Sequence, residues 1–188
     1  MTTLAAATHA ESTHRTMTKN ALHHIRSEKL FRNVQRSWKT IAALTDTRGY
    51  VRSDDFLKAF TCDAYTRDVL ERTILLLERT LDDGASVVDF TDIAIAVSVF
   101  TDQNALQTTM DIFNLFDLKH ENALSQTDLT NWLEIIYTVM QEFSLDFPCT
   151  LTPKHLAQRC AKAAFRECHC THTIEFEPMC RYFGIGPE

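Results

Sequence analysis

The sequence predicts an all-α fold of four helix–loop–helix units in two lobes, with short paired strands in the loops. The clearest unit covers residues 108–143, where two segments with apolar side chains three or four positions apart flank a polar loop. The pattern recurs along the chain, and each loop carries one aliphatic residue near its end: Val51, Val88, Leu124 and Ile174. Such a repeat indicates that the first loop pairs with the second and the third with the fourth.

The first unit begins with a helix for which Ser27 is the expected N-cap. Its apolar stripe consists of Leu30, Phe31, Val34, Trp38, Ile41 and Leu44. Gly49 then stands where the loop turns sharply, and Ser53 with Asp54 and Asp55 is expected to cap the exit helix that runs through Phe60. These features predict an amphipathic helix on each side of a tight loop.

The second unit begins at Asp63, which is expected to cap a helix that reaches Leu81. Its exit helix, from Ile93 to Phe100, is apolar on nearly every side, which predicts that it is buried. The polar residues 101–104 then mark the expected break between the two lobes.

The third unit has an apolar stripe on each side of its loop. The stripe before the loop consists of Met110, Ile112, Phe113 and Phe116. The stripe after it consists of Leu129, Trp132, Leu133, Ile136, Val139, Met140 and Phe143. Beyond a loop that contains Pro148, Thr152 and Pro153 open the fourth unit in the favoured way, with a hydroxyl cap followed by proline in the first turn. A short helix through Phe183 ends the predicted fold.

Length and composition predict a packed globular protein. The chain has 188 residues, of which 45% are hydrophobic and 12 are Phe, enough to bury a core in each of two lobes. Residues 1–18 lack apolar periodicity and are expected to form a flexible arm. We therefore expect one lobe at 19–100 and a second at 101–188.

The charge and the apolar runs exclude several classes of partner. A formal net charge of −6 argues against nucleic acid, which requires a basic footprint, and favours a basic protein partner. No window approaches the roughly 18 apolar residues of a membrane span, and the run at 4–7 is too short for a signal peptide. Six cysteines without a secretory signal indicate reduced thiols, so we expect a cytoplasmic protein without a membrane anchor.

Three segments of the chain resemble the four-EF-hand calcium-sensor superfamily, in the branch that holds neuronal calcium sensors, calcineurin B and calaxin. They are residues 88–100 (VDFTDIAIAVSVF), residues 111–117 (DIFNLFD), and the long third exit helix with the Thr152-Pro153 opening that follows it. The resemblance covers about residues 27–183. It implies lobes that open on calcium and a hydrophobic groove that takes a partner helix, hence an adaptor or sensor subunit.

Calcium in loops of this type requires oxygen ligands at positions 1, 3, 5 and 9, a bidentate Glu at 12 and Gly at 6. The third loop comes nearest, with side-chain oxygens at positions 1, 5, 9 and 12 from Asp117, Glu121, Ser125 and Asp128. However, Lys119 occupies position 3, Asn122 replaces the glycine, and Asp128 is one methylene shorter than Glu. This loop is the one calcium candidate, and its composition favours a loop that binds no metal.

The other loops depart further from that pattern. Arg48 and Arg52 are expected to point into the first loop, and apolar residues interrupt the acidic residues of the second. The fourth has no acidic residue between Cys168 and Ile174. The sequence therefore predicts four pseudo-EF-hands without a cofactor, with calcium binding in the third loop as the alternative.

The fourth loop contains two thiols and two imidazoles within five residues: Cys168, His169, Cys170 and His172. Zinc sites use ligand pairs two to four residues apart and usually a second such pair, which this chain lacks. We interpret the cluster as loop residues that replaced calcium ligands. A redox role through a thiol of lowered pKa is a second hypothesis.

No catalytic motif is present, so the sequence predicts a protein that is not an enzyme. Its candidate partner-binding residues lie on the third unit: Phe113, Phe116, Trp132, Ile136, Val139 and Met140. Each of them also fits a place in the core, and an amphipathic partner helix is the expected occupant of a groove that they form. Three functions stay open: a calcium-independent adaptor, a calcium sensor that uses the third loop, and, from the calaxin resemblance alone, a dynein-docking component of the flagellar axoneme associated with microtubules.

Overall fold

The computed structural model of the protein describes residues 34–60, 62–100, 104–117, 119–143 and 151–186. Four expectations lie wholly or mostly outside these residues. They are the N-terminal arm at 1–18, the part of the first helix before Val34 with its Ser27 cap, the break between the lobes at 101–104, and the loop around Pro148.

The described residues form eight helices and five short strands. The helices are α1 (Val34–Ala42), α2 (Ser53–Ala59), α3 (Ala64–Leu77), α4 (Phe90–Val99), α5 (Ala105–Phe116), α6 (Gln126–Glu142), α7 (Pro153–Glu167) and α8 (Phe176–Tyr182). The strands are β1 (Tyr50–Arg52), β2 (Arg79–Thr80), β3 (Ser86–Asp89), β4 (Ala123–Ser125) and β5 (Thr173–Glu175).

The prediction of an all-α fold is wrong. About 64% of the structure is helical and 12% is strand, and the strands form two small antiparallel sheets. The fold is therefore mixed, with helices predominating. The physical reason is that the end of each loop adopts an extended backbone and pairs with another loop, so its N–H and C=O groups form ladder hydrogen bonds rather than helical ones.

The two sheets bring the repeated aliphatic residues face to face. In the first sheet, with strand order β1-β3-β2, Val51 lies opposite Val88. In the second, β4 pairs with β5 and Leu124 lies opposite Ile174. All four side chains are buried, so each pair joins two loops through the core as well as through the backbone.

The third strand of the first sheet comes from a segment that was expected to be helical. Helix α3 ends at Leu77 rather than at Leu81, and Arg79 pairs with Val87 on the outer side of β3. The Leu81 N–H donates to the carbonyl of Ala85, which closes a tight turn between the two strands. This local pairing gives the backbone after Leu77 an alternative to a further helical turn.

Several predicted helix starts agree with the structure, and one does not. The Asp63 carboxylate accepts from the N–H groups of Tyr65 and Thr66, and the Thr152 hydroxyl caps α7. Ser53, by contrast, is the first helical residue of α2, and its buried hydroxyl has no hydrogen-bond partner among the described residues. The predicted Ser53 cap is therefore wrong.

The N-terminal and C-terminal halves share one hydrophobic core. Helix α4, buried as predicted, packs against α6. At the same junction the guanidinium of Arg72 binds the Glu142 carboxylate at 2.5 Å and lies over the ring of Phe143, which meets Phe100 edge to face. Apolar and charged contacts thus join the two halves at this point.

Candidate functional site

An apolar groove of about 470 Å³ lies in the C-terminal half, between α5 and α6. It is lined by Ser98, Val99, Ala105, Thr108, Thr109, Ile112, Leu129, Trp132, Leu133, Ile136, Tyr137, Met179, Phe183 and Ile185. None of these lining residues carries a formal charge at neutral pH. This includes the Tyr137 phenol, because burial raises its pKa. The volume and the lining fit the range of natural binding sites.

The spacing of residues along α5 and α6 builds two walls of the groove. On α5, Ala105, Thr108 and Ile112 fall on one face, and on α6 the same holds for Leu129 and Ile136. These residues lie three, four or seven positions apart on their helices. On α6 the first part of the predicted apolar stripe therefore lines the groove, whereas on α5 only Ile112 of the predicted stripe does.

The third wall is the segment that follows α8. Gly184 has a φ of +67°, which turns the chain back at the end of the helix. The Ile185 N–H then donates to the carbonyl of Cys180 at 2.8 Å and the Gly184 N–H donates to that of Arg181, as in a Schellman motif. This turn holds the Ile185 side chain against the groove.

The structure brings together only two of the six predicted partner-binding residues, Trp132 and Ile136, in the lining of the groove. Phe113 and Val139 lie in the core, with 1% and 0% of their surface exposed, so they have no surface to offer a partner. Phe116 stacks on Trp132 from outside the lining, with the ring centroids 6.2 Å apart. Met140 is half-buried and lies outside the lining as well.

Two polar groups of the lining are buried without a partner. Neither the Trp132 indole N–H nor the Thr108 hydroxyl has a hydrogen-bond partner among the described residues. Among the other hydroxyls of the lining, that of Ser98 donates to the Ile95 carbonyl at 2.6 Å and that of Tyr137 contacts the Cys160 sulfur at 3.4 Å. The groove thus combines an apolar lining with two unsatisfied hydrogen-bonding groups, a combination that is rare in protein interiors.

The third loop closes on its own main chain. The two oxygens of the Asp117 carboxylate accept from the N–H groups of Glu121, at 2.9 Å, and Asn122, at 2.7 Å. Asn122, in place of the expected glycine, adopts a φ of +53°, a backbone conformation that Asn tolerates better than most residues. Asp117 therefore acts as the acceptor that folds the loop.

The remaining predicted calcium ligands are also engaged or turned outward. Ser125 and Asp128 form a capping box at the start of α6, in which the Ser125 hydroxyl donates to the Asp128 carboxylate at 2.6 Å. Glu121 and Lys119 are exposed. Among the described residues, no three His, Cys, Asp or Glu side chains come together as a group that would hold a metal ion.

In the first loop an arginine binds the acidic residue. The Asp46 carboxylate accepts from the main-chain N–H groups of Tyr50 and Arg48 and forms an ion pair with the Arg48 guanidinium at 3.0 Å. These contacts, the Tyr50 N–H first, lower the pKa of Asp46. Arg48 thus points toward the loop acid as predicted, whereas Arg52 is exposed.

Three of the four acidic residues of the second loop have structural partners of their own. Asp83 accepts from the Ala85 N–H, and Asp89 caps α4 through the Thr91 N–H. Asp92 forms an ion pair with Arg79 at 2.6 Å. Burial, followed by the nearby charge of Asp89, nevertheless raises the pKa of Asp92.

The cysteine–histidine cluster of the fourth loop forms the end of α7. Cys168 is the C-cap residue, and His169 takes a φ of +56° where the chain leaves the helix. The Cys168 thiol donates to the carbonyl of Pro178, and burial raises the pKa of that thiol. For Cys168, the structure therefore argues against the hypothesis of a thiol activated by a lowered pKa. His169 and His172 are exposed.

Sequence analysis missed the polar and the C-terminal residues of the groove. Thr108 is one turn before Ile112 on the same face of α5, but only apolar positions were counted. Ile185 follows Gly184, where the fold was expected to end. A glycine just after a helix, followed by an aliphatic residue, is the signal that would have predicted the turn back onto the core.

A scan against models of known protein families finds no match to this chain, and searches of curated proteins and of solved structures find none either. Within the described ranges, none of the helices has both the length and the apolar character that crossing a bilayer requires. The assignment of a function therefore rests on the geometry of the groove and of the loops.

Proposed function

We propose that this chain is a non-enzymatic adaptor of the cytoplasm that binds one amphipathic helix of a protein partner in the groove between α5 and α6, with or without calcium. The observation that carries the proposal is the groove itself: an uncharged, largely apolar lining with buried polar groups that still require partners. A surface of this kind is stabilised when an apolar side chain covers it.

The shape and the charge of the site support a helix as the occupant. The groove runs between two helices, a setting in which a helix inserts anchors at positions i, i+3 or i+4, and i+7. The whole chain has a formal net charge of −6 and the lining is uncharged, which favours a partner helix with apolar anchors on one face and basic residues on the other.

The loops support independence from calcium. Asp117 and Asp46, each near the start of its loop, already accept hydrogen bonds from the main chain of that loop, and Arg48 supplies a cation to Asp46. This geometry favours the adaptor over the calcium-sensing alternative. The helix–loop–helix units are joined in pairs through antiparallel strands, which supports the resemblance to the EF-hand superfamily. A role in the axoneme is a prediction from that resemblance alone.

The proposal is tested with a synthetic amphipathic peptide of Leu, Ala and Lys that carries Leu at the anchor spacing, called here the Leu peptide. Isothermal titration calorimetry measures its affinity for the full chain. Ile136 lines the groove and is half-buried, so Ile136→Glu places a carboxylate against the anchors. We expect this variant to bind the Leu peptide at least about tenfold more weakly.

Met140→Glu is the matched control, because Met140 lies one turn further along α6, is also half-buried and does not line the groove. This variant is expected to bind like the unchanged protein. Circular dichroism melts establish that both variants are folded. If the unchanged chain does not bind the peptide, or if the two variants weaken binding equally, the groove is not the binding site and the proposal fails.

A further inference from the structure

We propose that the helix bound in this groove carries a carboxamide side chain, Gln or Asn, among its apolar anchors, and that its carbonyl oxygen accepts a hydrogen bond from the indole N–H of Trp132. This inference rests on the proposed function and specifies the chemistry of the partner. Its starting observation is a buried polar group without a hydrogen-bond partner, the indole N–H of Trp132. This residue is 5% exposed, lines the groove and has no acceptor among the described residues.

Trp38 provides a comparison, because it is a core tryptophan whose indole N–H has an acceptor within the fold. The chain has two tryptophans, and the indole N–H of Trp38 donates to the main-chain carbonyl of Ala94 at 3.1 Å. Trp38 is 9% exposed, so the two rings are buried to a similar extent. Burial alone therefore does not explain why the Trp132 N–H has no acceptor.

The indole nitrogen of Trp132 has almost no contact with water even in the free protein, so its N–H is unsatisfied before a ligand binds. A purely apolar anchor leaves this donor unsatisfied, whereas an anchor with an acceptor gains a hydrogen bond in a low-dielectric setting. The indole nitrogen only donates, so the occupant must supply an acceptor at this point.

The second unpartnered group of the lining favours a carboxamide over other acceptors. The Thr108 hydroxyl both donates and accepts, and a carboxamide carries an acceptor oxygen and a donor nitrogen on one neutral group. A carboxylate fits less well, because the lining provides no cation and the chain has a net charge of −6. The preferred partner is thus an amphipathic helix with one amide in an otherwise apolar face.

Calorimetry with a second peptide tests this inference. The Gln peptide differs from the Leu peptide only in one central anchor, which is Gln instead of Leu. We expect the Gln peptide to bind about tenfold more tightly than the Leu peptide, because it alone satisfies the indole N–H. Trp132→Phe keeps an aromatic ring beside Phe116 but has no N–H, so this variant should bind the two peptides equally.

Trp38→Phe is the matched control. It removes the bond to Ala94 and is expected to lower the melting temperature while the preference for the Gln peptide persists. If both peptides bind the unchanged chain equally, the carboxamide inference is overturned and the proposed function stands. If neither peptide binds, the proposed function fails and the inference fails with it.

Nuclear magnetic resonance of the full-length Trp38→Phe chain observes the decisive group directly, since only the Trp132 indole N–H signal remains. We expect this proton to shift downfield when the Gln peptide binds and to shift less with the Leu peptide, because only the Gln peptide supplies an acceptor. Equal shifts with the two peptides would overturn the inference. A downfield shift that grows with protein concentration in the absence of peptide would indicate that a second copy fills the groove, and would overturn it as well.

Discussion

Asp46, Asp117 and Asp128 each use a carboxylate to hold nearby main-chain N–H groups, rather than leaving its oxygens free for a cation. In the first loop the Arg48 guanidinium supplies a positive charge from within the chain. A loop of this kind requires no metal ion to neutralise or orient its acidic residue. At the scale of the residue, hydrogen bonds and an ion pair within the protein therefore hold these loops in place.

This view predicts how the ionisation of Asp46 responds to its neighbours. The Tyr50 N–H is the largest cause of the lowered pKa, and Arg48 adds to it, so Arg48→Gln should raise the pKa of Asp46 but leave it below the ordinary aspartate value. A pH titration of the carboxyl carbon by nuclear magnetic resonance measures this. Because the folded-state pKa is lowered, the stability that Asp46 contributes is present above its unfolded pKa and is lost as the pH falls through the folded value.

Arg52→Gln is the control for this titration, since Arg52 is exposed at the end of β1 and has no recorded contact with Asp46 among the described residues. This variant should leave the pKa of Asp46 unchanged. Equal effects of the two substitutions would mean that the general charge of the loop, rather than the Arg48 contact, lowers the pKa.

At the scale of the element, sequence analysis predicted most helix starts but not every helix end. Asp63 and Thr152 were recognised because a cap is a local feature, set by one side chain and the next few N–H groups. The end of α3 at Leu77 was missed because it depends on β3, which pairs with Arg79. Nothing in the two-residue strand Arg79–Thr80 is apolar or alternating, so periodicity could not reveal it.

The contact between α3 and α6 leads to a prediction about stability. Arg72 and Glu142 are about one-fifth exposed, and the guanidinium also donates to the Glu142 carbonyl and covers the Phe143 ring. Arg72→Ala removes all three contacts, including the ion pair with the mostly buried Glu142 carboxylate. We expect the free energy of unfolding to fall by about 2 kcal/mol, as measured by urea denaturation.

Arg181→Ala provides the comparison, because the Arg181–Glu177 pair lies on one helix with both side chains mostly exposed. Exposed pairs of this spacing contribute about 0.5 kcal/mol or less. If Arg72→Ala costs no more than Arg181→Ala, the α3–α6 ion pair does not stabilise the junction.

At the scale of the whole molecule, the repeat in the sequence predicted which loops meet but not the class of the fold. The pairs of Val51 with Val88 and of Leu124 with Ile174 followed from one aliphatic residue per loop, since each is buried only when two loops meet. The sheets that result make the fold mixed rather than all-α. The groove was predicted in part, through Trp132 and Ile136, because its third wall depends on the turn at Gly184.

The central claim is that the groove of this chain binds a helix and that the loops do not gate it through calcium. The most direct measurement is the affinity of the Gln peptide for the full chain by calorimetry, once in excess calcium and once in excess chelator. We expect the same dissociation constant in both, because the carboxylates of Asp117 and Asp128 already accept hydrogen bonds from main-chain N–H groups. Binding that appears or strengthens only with calcium would contradict the account and favour a calcium sensor.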